Sequence, residues 1–431
     1  MSNIVTVAVA GFGLRAQDYT AYQFNTPNKM KVVAISDIDE NRLNSAAEKF
    51  NISNEYCFSS AEVMLEQPRL ADAMFITTQD RQHVPQAIKA LEKGYHILLE
   101  KPISPTLQDC LLLQRKAHKY DRIVTVCHVM RYTNFYQEIK KAIDSGIIGD
   151  VKSLLAVENV GYFHHAHSFV RGNWRRSDET SPMILAKSCH DLDLIQWLIG
   201  AKCIHLSSFG NLSHFNAENA PAGSVDRCLD GCHSKEKCPY DAEKIYVLDK
   251  VTGIKNGIWK WPCNAVVNNP TVDSIYEALK KGPYGRCVYK CDNNVVDHQV
   301  VIMEFDNGTT ANFTMSAFTV SDGRQIKIMG TLGEIIGDID TSKVRITPFG
   351  KKSRQIDIQS ITGSIDSHAG GDHQIVDRFI NTLSCNTITM DTLTSIDASV
   401  HSHVMALAAE HSRLNNGLSI NLNDFINSMN H

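Results

Sequence analysis

The chain has 431 residues, a formal net charge of −4 at pH 7 and 43% hydrophobic residues. This length exceeds one ordinary hydrophobic core, so it predicts at least two domains, and the charge gives no reason to expect nucleic acid as a partner. Because no apolar run approaches the roughly 18 residues of a membrane helix and MSNIVTVAVAG lacks the features of a signal peptide, we expect no membrane association, a cytoplasmic location and mostly reduced cysteines.

Strand and helix signals alternate along residues 1–125. The predicted strands are IVTVAVAG, KVVAISD, ADAMFITT, YHILLE and RIVTVCHV, and the predicted helices between them include IDENRLNSAAEKF, VPQAIKALEKG and TLQDCLLLQRKAHKY. Alternation of this kind requires parallel crossover connections. It predicts an α/β Rossmann domain over residues 1–125.

Residues 126–431 have a different pattern, in which strands follow one another. They include VKSLLAVENVGYF, HQVVIMEFDNGTTANFTMSAFT with a tight turn at DNGT, RQIKIMGT, GEIIGDI and KVRITPF. Helices are fewer, so the pattern predicts an α+β domain around a large, mostly antiparallel open sheet. A cysteine-containing insertion is expected at about 215–297, where periodicity is weak.

A glycine-containing loop, GFGLRA, follows the first predicted strand directly. Gly11 permits a tight turn, Gly13 lets the backbone approach a pyrophosphate, and Phe12 and Leu14 complete the loop. The next strand ends at Asp37, where a carboxylate would bind the adenosine ribose hydroxyls. The loop therefore predicts a dinucleotide site. Asp37 favours NAD, although Arg42 further along leaves NADP possible.

The stretch LLEKPIS adds a resemblance to a family. Together with GFGLRA, ITTQDRQH and GSIDSHAGGDH, it resembles the glucose–fructose oxidoreductase and inositol dehydrogenase (Gfo/Idh/MocA) family. The resemblance implies that Lys101, after Glu100, lies beside the nicotinamide and the reacting hydroxyl. A cation there would polarise a carbonyl or lower the pKa of an alcohol. The remaining residues implied to line the cofactor cleft are Thr77, Thr78 and His83, although an ordinary loop remains open for His83.

The stretch SPMILAKSCHDLDLIQWLIG departs from the family pattern Asp-x-Gly-x-His-x-x-Asp. Aligned on the histidine, His190 and Asp193 match, but Ala186 replaces the first aspartate and Lys187 adds a cation. The resemblance nominates His190 as a proton acceptor or hydroxyl clamp, with packing as the alternative, and places Lys187 and Asp193 near the substrate. Family members also border the substrate with the Arg-Tyr pair that is Arg131 and Tyr132 here.

Histidine, arginine and tryptophan are concentrated in GYFHHAHSFVRGNWRR, which follows the first strand of the second domain. Near a cofactor cleft such side chains suit a polyol or an acidic sugar, and we nominate His167, Arg171 and Trp174. A solvated basic loop is the alternative for each of them.

The insertion contains Cys228, Cys232 and Cys238 at close spacing. In a reducing compartment such thiolates favour a structural zinc over disulfides, although the spacing is not that of a standard zinc finger and the fourth ligand is unassigned. Packed free thiols are the alternative.

The resemblance implies an NAD(P)-dependent oxidoreductase that transfers hydride between nicotinamide and a hydroxyl carbon of a sugar, sugar acid, cyclitol or glycoside. Lys101 and His190 would transfer the hydroxyl proton and stabilise the developing alkoxide. A redox-neutral glycosidase or lyase with tightly held NAD and a non-enzymatic nucleotide sensor are the alternatives. We expect a homodimer or homotetramer, as in other family members.

Overall fold

The computed structural model describes residues 4–362, 370–385 and 394–428. Its first sheet is entirely parallel, with the order β3-β2-β1-β4-β5-β6. The strands are β1 Val5–Ala10, β2 Met30–Ser36, β3 Cys57–Phe58, β4 Ala73–Ile76, β5 His96–Leu99 and β6 Val124–Val126. The predicted Rossmann architecture is confirmed. The two-residue strand β3 was not predicted, because it is too short to show a pattern.

Helices connect these strands, and capping side chains define where several of them begin. They are α1 Leu14–Thr20, α2 Tyr22–Asn25, α3 Glu40–Phe50, α4 Ala61–Glu66, α5 His83–Glu92 and α6 Leu107–Tyr120. Asp39, Ser60 and Thr106 each accept a hydrogen bond from a backbone N–H in the first turn of α3, α4 and α6. The chain therefore leaves the carboxyl end of each strand in a fixed direction, and that edge carries the candidate site.

The second sheet has nine strands in the order β14-β13-β12-β11-β7-β10-β9-β8-β15. They are β7 Val151–Gly161, β8 Cys203–Asn211, β9 His298–Phe305, β10 Thr310–Thr319, β11 Gly323–Gly330, β12 Gly333–Asp338, β13 Lys343–Pro348, β14 Arg354–Asp357 and β15 Ile420–Asn421. Only the β7–β10 pair among them is parallel, which confirms the mostly antiparallel prediction.

Helices cover one face of this sheet and join it to the first domain. They are α7 Asn134–Asp144, α8 Tyr162–His165, α9 Met183–Ala186, α10 Cys189–Ile199, α11 Cys263–Val266, α12 Val272–Lys281, α13 Gln359–Thr362, α14 Gly371–Cys385, α15 Ile396–Leu414 and α16 Leu422–Ser428. Although α14 falls within the predicted second domain, its apolar side packs in the same cluster as β1 and β4. None of the helices described is long and apolar enough to cross a membrane.

The insertion has an apolar core of its own. Tyr240, Tyr246, Ile275 and Val288 are buried there, and Val170 of the preceding segment joins them. The cluster covers the π-helical segment Ala166–Arg171, which follows α8. The insertion therefore lies against the HHAHSFVR segment.

Candidate active site

The glycine loop after β1 has the geometry that a bound dinucleotide requires. Gly11 has φ +80°, and a Cβ there would lie 3.0 Å from Thr78 Cγ2 and 3.1 Å from the Thr77 carbonyl oxygen. A Cβ on Gly13 would meet no atom within 4 Å, so this residue faces open space. No side chain caps the start of α1, which leaves backbone N–H groups available there. The loop fits a pyrophosphate.

Asp37 follows β2 and is 6% exposed. One carboxylate oxygen accepts a hydrogen bond from the Phe12 N–H at 2.7 Å, which ties the end of β2 to the loop. The other oxygen accepts from Arg42 Nη2 at 2.9 Å. Arg42 therefore neutralises much of the charge that would repel a 2′-phosphate.

The ITTQDRQH segment is held in place by its own hydrogen bonds. Thr77 Oγ1 donates to the Gly11 carbonyl at 2.6 Å, and Thr78 Oγ1 donates to Gln86 at 2.6 Å. The two ring nitrogens of His83 lie 2.7 Å from the Pro102 carbonyl oxygen and 3.0 Å from that of Thr78. His83 is 1% exposed, so it positions this loop against the Lys101–Pro102 turn and offers little surface to a cofactor.

Glu100 is buried at the end of β5 and anchors the turn that carries Lys101. Arg15 Nε and Tyr19 Oη both donate to it at 2.8 Å, and the Lys101 N–H donates as well. Burial alone would raise the pKa of Glu100, but the charges of Arg15 and Lys101 lower it below its usual value. An ionised Glu100 thus fixes the backbone at Lys101, and Arg15 extends the network to Asp372 at the start of α14.

Lys101 joins the two domains at the candidate reaction centre. Its Nζ donates to the Ala186 carbonyl at 2.8 Å, at the end of α9. His190 lies four residues beyond, in the first turn of α10, and is 6% exposed. Its ring centroid lies 5.8 Å from that of His128, whose pKa is lowered well below the usual value by burial and by the charges of Arg131 and Lys101. The structure thus brings the Lys101 turn to the segment that carries His190.

Lys187 enters the same region from the α9–α10 turn. Its Nζ lies 3.8 Å from Glu158 Oε1, and Ser188 Oγ donates to Glu158 at 2.8 Å. Burial lowers the pKa of Lys187, and the charges of Glu158 and Asp322 oppose this effect only in part. Lys187 is therefore an ammonium group that loses its proton more readily than an exposed lysine.

Two further groups complete this polar network. Arg324 at the start of β11 donates to Glu158 at 2.6 Å and to Asp191 at 2.7 Å. His164 Nδ1 lies 2.7 Å from Asp322, and burial lowers the pKa of His164. Burial alone would raise the pKa of Asp322, but the contact with His164 lowers it to about 2.

Three residues that were predicted to contact the substrate instead form hydrogen bonds or ion pairs inside the protein. Arg131 and Asp193 form a buried bidentate ion pair at 2.5 and 2.6 Å, and Asp193 is 0% exposed. The Tyr132 hydroxyl accepts from the Thr394 N–H at 3.0 Å, and its ring lies in the core of the first domain. Because these side chains are buried and paired, we no longer expect them to contact a substrate.

The basic segment after β7 is also more buried than predicted. The Arg171 guanidinium is 1% exposed and donates to the carbonyls of Arg286 and Tyr240 at 2.7 Å each, so its contacts lie in the insertion. His167 is 3% exposed and stacks on Tyr284 at 4.6 Å, and burial lowers its pKa to about 3. Trp174 is half-buried and packs against the main core. Burial therefore makes His167 and Arg171 part of the packing against the insertion, whereas Trp174 stays a predicted substrate contact.

The zinc prediction is not supported. Within residues 4–362, 370–385 and 394–428, no group of three or more His, Cys, Asp or Glu side chains is arranged to hold a metal ion. Cys228, Cys232 and Cys238 instead line a small cavity beside Arg171 and Cys287. Arg171 Nη2 lies 3.6 Å from Cys228 Sγ. The described arrangement of these cysteines therefore corresponds to the alternative interpretation, in which they are packed free thiols.

Several site residues were missed by the sequence interpretation. Glu158 could have been recognised from the sequence, since the alternation of residues along β7 places it on the buried side with Leu154, Ala156 and Val160. A lone carboxylate on that side of a strand requires a partner. Asp322 lies in the connection between β10 and β11, and Arg324 lies at the start of β11, in a distant stretch with no motif, so only the folded structure brings them to Lys187. Residues 363–369 of GSIDSHAGGDH lie outside the described residues.

Known proteins resemble both domains of this chain. The oxidoreductase family profile for the NAD-binding Rossmann fold matches residues 5–128, and that for the C-terminal alpha/beta domain matches residues 140–417. The putative oxidoreductase YteT of Bacillus subtilis is 24% identical over 79% of this chain and 80% of its own length. Inositol 2-dehydrogenase 1 of Saccharopolyspora erythraea is 26% identical over 47% of this chain, a match that spans 57% of that relative.

Solved structures share the fold over nearly the whole chain. An Agrobacterium radiobacter oxidoreductase in complex with NAD+, L-tartaric acid and magnesium has a TM-score of 0.68 at 16% identity, over 98% of this chain and 99% of that one. The WlbA dehydrogenase of Chromobacterium violaceum, in complex with NADH and UDP-GlcNAcA, has a TM-score of 0.66 at 16% identity, over 98% and 96%. The family profiles cover both domains, and the chain therefore belongs to the Gfo/Idh/MocA family of NAD-binding oxidoreductases.

Proposed function

We propose that this protein transfers hydride between nicotinamide and a hydroxyl-bearing carbon of a sugar, sugar acid, cyclitol or glycoside, which interconverts the alcohol and the carbonyl, with Lys101 and His190 as catalytic residues. The observation that carries the proposal is the hydrogen bond from Lys101 Nζ to the Ala186 carbonyl. It joins the carboxyl edge of the parallel sheet, where ligands of such folds bind, to the segment that carries His190. The relatives that act on inositol support a polyol substrate.

The two side chains have complementary roles in this proposal. NAD bound at the Gly11 loop would supply the hydride acceptor. The Lys101 ammonium would stabilise the oxygen that becomes an alkoxide, while the His190 imidazole would accept the hydroxyl proton. Lys187 would donate a hydrogen bond to another substrate oxygen. The presence of both Lys101 and His190 favours an enzyme over a nucleotide sensor, because binding of a nucleotide alone requires neither.

The test is incubation of the protein with NAD and a panel of monosaccharides, sugar acids, cyclitols and glycosides, followed by absorbance of reduced nicotinamide. Lys101→Met should lower turnover by about 10²- to 10⁴-fold, as expected for a positioned acid–base group. NAD affinity should change little, since the pyrophosphate contacts lie at the Gly11 loop. Lys352→Met, an exposed lysine near β14, is the matched control. Turnover within about threefold of wild type in both Lys101→Met and His190→Asn would place the chemistry elsewhere.

A further inference from the structure

The insertion supplies an aromatic wall, which consists of Trp261, Tyr246 and Tyr284 and packs against two histidines of the segment after β7. The half-buried Trp261 ring lies 4.7 Å from the His164 ring and 5.3 Å from the His167 ring, as measured between centroids. His167 is in turn fixed by stacking on Tyr284 and by a 2.9 Å hydrogen bond with the Tyr246 hydroxyl. The indole is therefore held by rigid neighbours on its inner side.

The wall is connected to the Lys101 turn through Lys187 and β7. Lys187 follows Ala186, whose carbonyl accepts the hydrogen bond from Lys101, and Lys187 Nζ lies 3.8 Å from Glu158 on β7. Asp322 holds His164 at 2.7 Å and also accepts a hydrogen bond from the Gly161 N–H at 3.0 Å. His164 then contacts Trp261. These contacts connect Trp261 with Gly161 at the end of β7, three residues after Glu158, so Trp261 is linked to the Lys101–Ala186 contact without being part of it.

The chemistry of the wall is that of a sugar-ring site. The apolar C–H face of a pyranose packs on an aromatic ring, while its hydroxyls need a few fixed polar partners. Trp261 supplies the ring, and the His164–Asp322 pair supplies acceptors for sugar hydroxyl groups, because the N–H of the neutral His164 ring donates to Asp322. The His164 side chain is 18% exposed and that of Asp322 is 39% exposed, so a ligand can reach both.

We propose that Trp261 and the His164–Asp322 pair form a subsite for a second sugar ring, so that the substrate is a glycoside whose oxidised ring lies at Lys101. This inference rests on the proposed function and narrows its substrate class. A monosaccharide or cyclitol would fill the reaction centre and leave Trp261 uncovered. The insertion thereby sets specificity for the ring that is not oxidised.

The chain offers a matched control for the aromatic side chain. Trp259, two residues before Trp261, is 59% exposed, and Lys260 Nζ lies 5.5 Å from its ring centroid. Trp259→Ala removes an indole from the same loop without touching His164. Trp261→Leu retains apolar volume but lacks the flat aromatic face, and it replaces Trp261→Ala if that variant fails to fold.

The experiment measures binding and turnover separately. Tryptophan fluorescence is titrated with glucose, glucuronic acid, their methyl glycosides and a set of disaccharides in the presence of NAD. The active compounds are then followed by reduced nicotinamide. We expect disaccharides to bind at least about tenfold more weakly to Trp261→Ala, with a matching fall in kcat/KM. Monosaccharide binding should stay within threefold, and Trp259→Ala should behave as wild type.

The outcomes separate this inference from the proposed function. Disaccharide binding that depends on Trp261 without any nicotinamide reduction would support the subsite and contradict the proposed oxidation. Turnover of monosaccharides or cyclitols that is equal in wild type and Trp261→Ala, with no preference for disaccharides, would support the oxidation and overturn the subsite. Absence of binding by every sugar would overturn it as well.

Discussion

The positive charge of Lys187 has a consequence at the residue scale that can be measured as a pH dependence. Burial lowers the pKa of this lysine, so it loses its proton at a lower pH than an exposed lysine does. If its charge holds a substrate oxygen, kcat/KM should fall as the pH rises through that lowered pKa. Lys187→Arg should move this alkaline limb upward, because guanidinium keeps its proton.

The measurement is kcat/KM between pH 6 and pH 10 for wild type, Lys187→Arg and Lys187→Met. The methionine variant should be less active at neutral pH and should lose the alkaline limb. Asp322 and Glu158 stay ionised over this range because both have lowered pKa values, so they do not imitate the effect. An alkaline limb that is unchanged in both variants would assign the titration to another group.

Cofactor choice at Asp37 is a second prediction at this scale. We expect wild type to prefer NAD, because the Asp37 carboxylate repels a 2′-phosphate, but the paired Arg42 should keep this preference moderate. Arg42→Ala should therefore increase the preference for NADH over NADPH, and Asp37→Ala should reduce it by tenfold or more. Fluorescence titration of both reduced cofactors is the measurement, with Arg345→Ala on the second sheet as control. Tighter NADPH binding by wild type would contradict the prediction.

Residues of the site differed in how far the sequence could identify them. Gly11, Asp37 and Lys101 were identifiable because each follows a strand end within a short motif. Arg131 and Asp193 looked equally functional, but a buried ion pair has the same residue types as a substrate clamp, and burial cannot be read from one stretch alone. The prediction that Arg171 binds substrate was not supported for the same reason, since the insertion that covers this residue begins about 45 residues later.

At the scale of elements, the insertion is attached to the rest of the second domain by a charge cluster. Asp292 accepts hydrogen bonds from Arg175 at 2.9 Å and from Arg286 at 2.7 Å. These arginines hold the pKa of Asp292 well below its usual value. A lowered folded-state pKa stabilises the protein above the unfolded pKa of about 3.9 and ceases to do so as the pH falls.

We expect Asp292→Asn to lower the melting temperature at pH 7 by about 1–2 °C, a small effect because the carboxylate is partly exposed. The difference from wild type should shrink below about pH 4, where the unfolded chain gains its proton. Differential scanning fluorimetry at pH 7 and pH 3.5 checks this, with the exposed Asp230→Asn as control. An equal loss at both pH values would assign the effect to hydrogen-bond geometry rather than to charge.

Strands and helices with a regular alternation or spacing of hydrophobic residues were mostly predicted, and elements without such a pattern were not. The hairpin of β9 and β10 was visible from alternation on both sides of DNGT, and Gly308 indeed adopts φ +76° there. Helix α7 was not predicted, although Phe135, Tyr136, Ile139 and Ala142 share its buried side. Apart from α12, with Ile275 and Leu279 buried at helical spacing, the insertion has short turns stabilised by aromatic contacts, which leave no period in the sequence.

At the scale of the whole molecule, the open face of the second sheet predicts self-association. Leu155 on β7, Phe209 on β8 and Ile302 on β9 are 43%, 54% and 54% exposed, with the polar Asn312 of β10 between Leu155 and Ile302. Exposed apolar side chains on the face of an extended sheet are typical of a protein interface. We expect a homodimer or homotetramer through this face.

Ile302→Lys should shift the protein toward monomer, because a lysine on each copy would place like charges at the interface. Size-exclusion chromatography with light scattering, run over a range of concentrations, is the measurement. Val251→Lys, at a 72% exposed position in the insertion, is the control. A wild-type protein that is monomeric at every concentration would contradict the prediction, as would an Ile302→Lys variant with unchanged mass.

The return of α14 to the first domain bears on how the protein is made. Ile375, Val376, Phe379 and Ile380 complete the apolar cluster of β1, yet β6 has left the ribosome about 250 residues earlier, or about 12 to 50 s at ordinary rates of synthesis. Throughout that interval the nascent nucleotide-binding domain exposes the surface that α14 will cover. Its folding is therefore finished only near the end of translation, and a chaperone bound to the nascent chain would protect it until then.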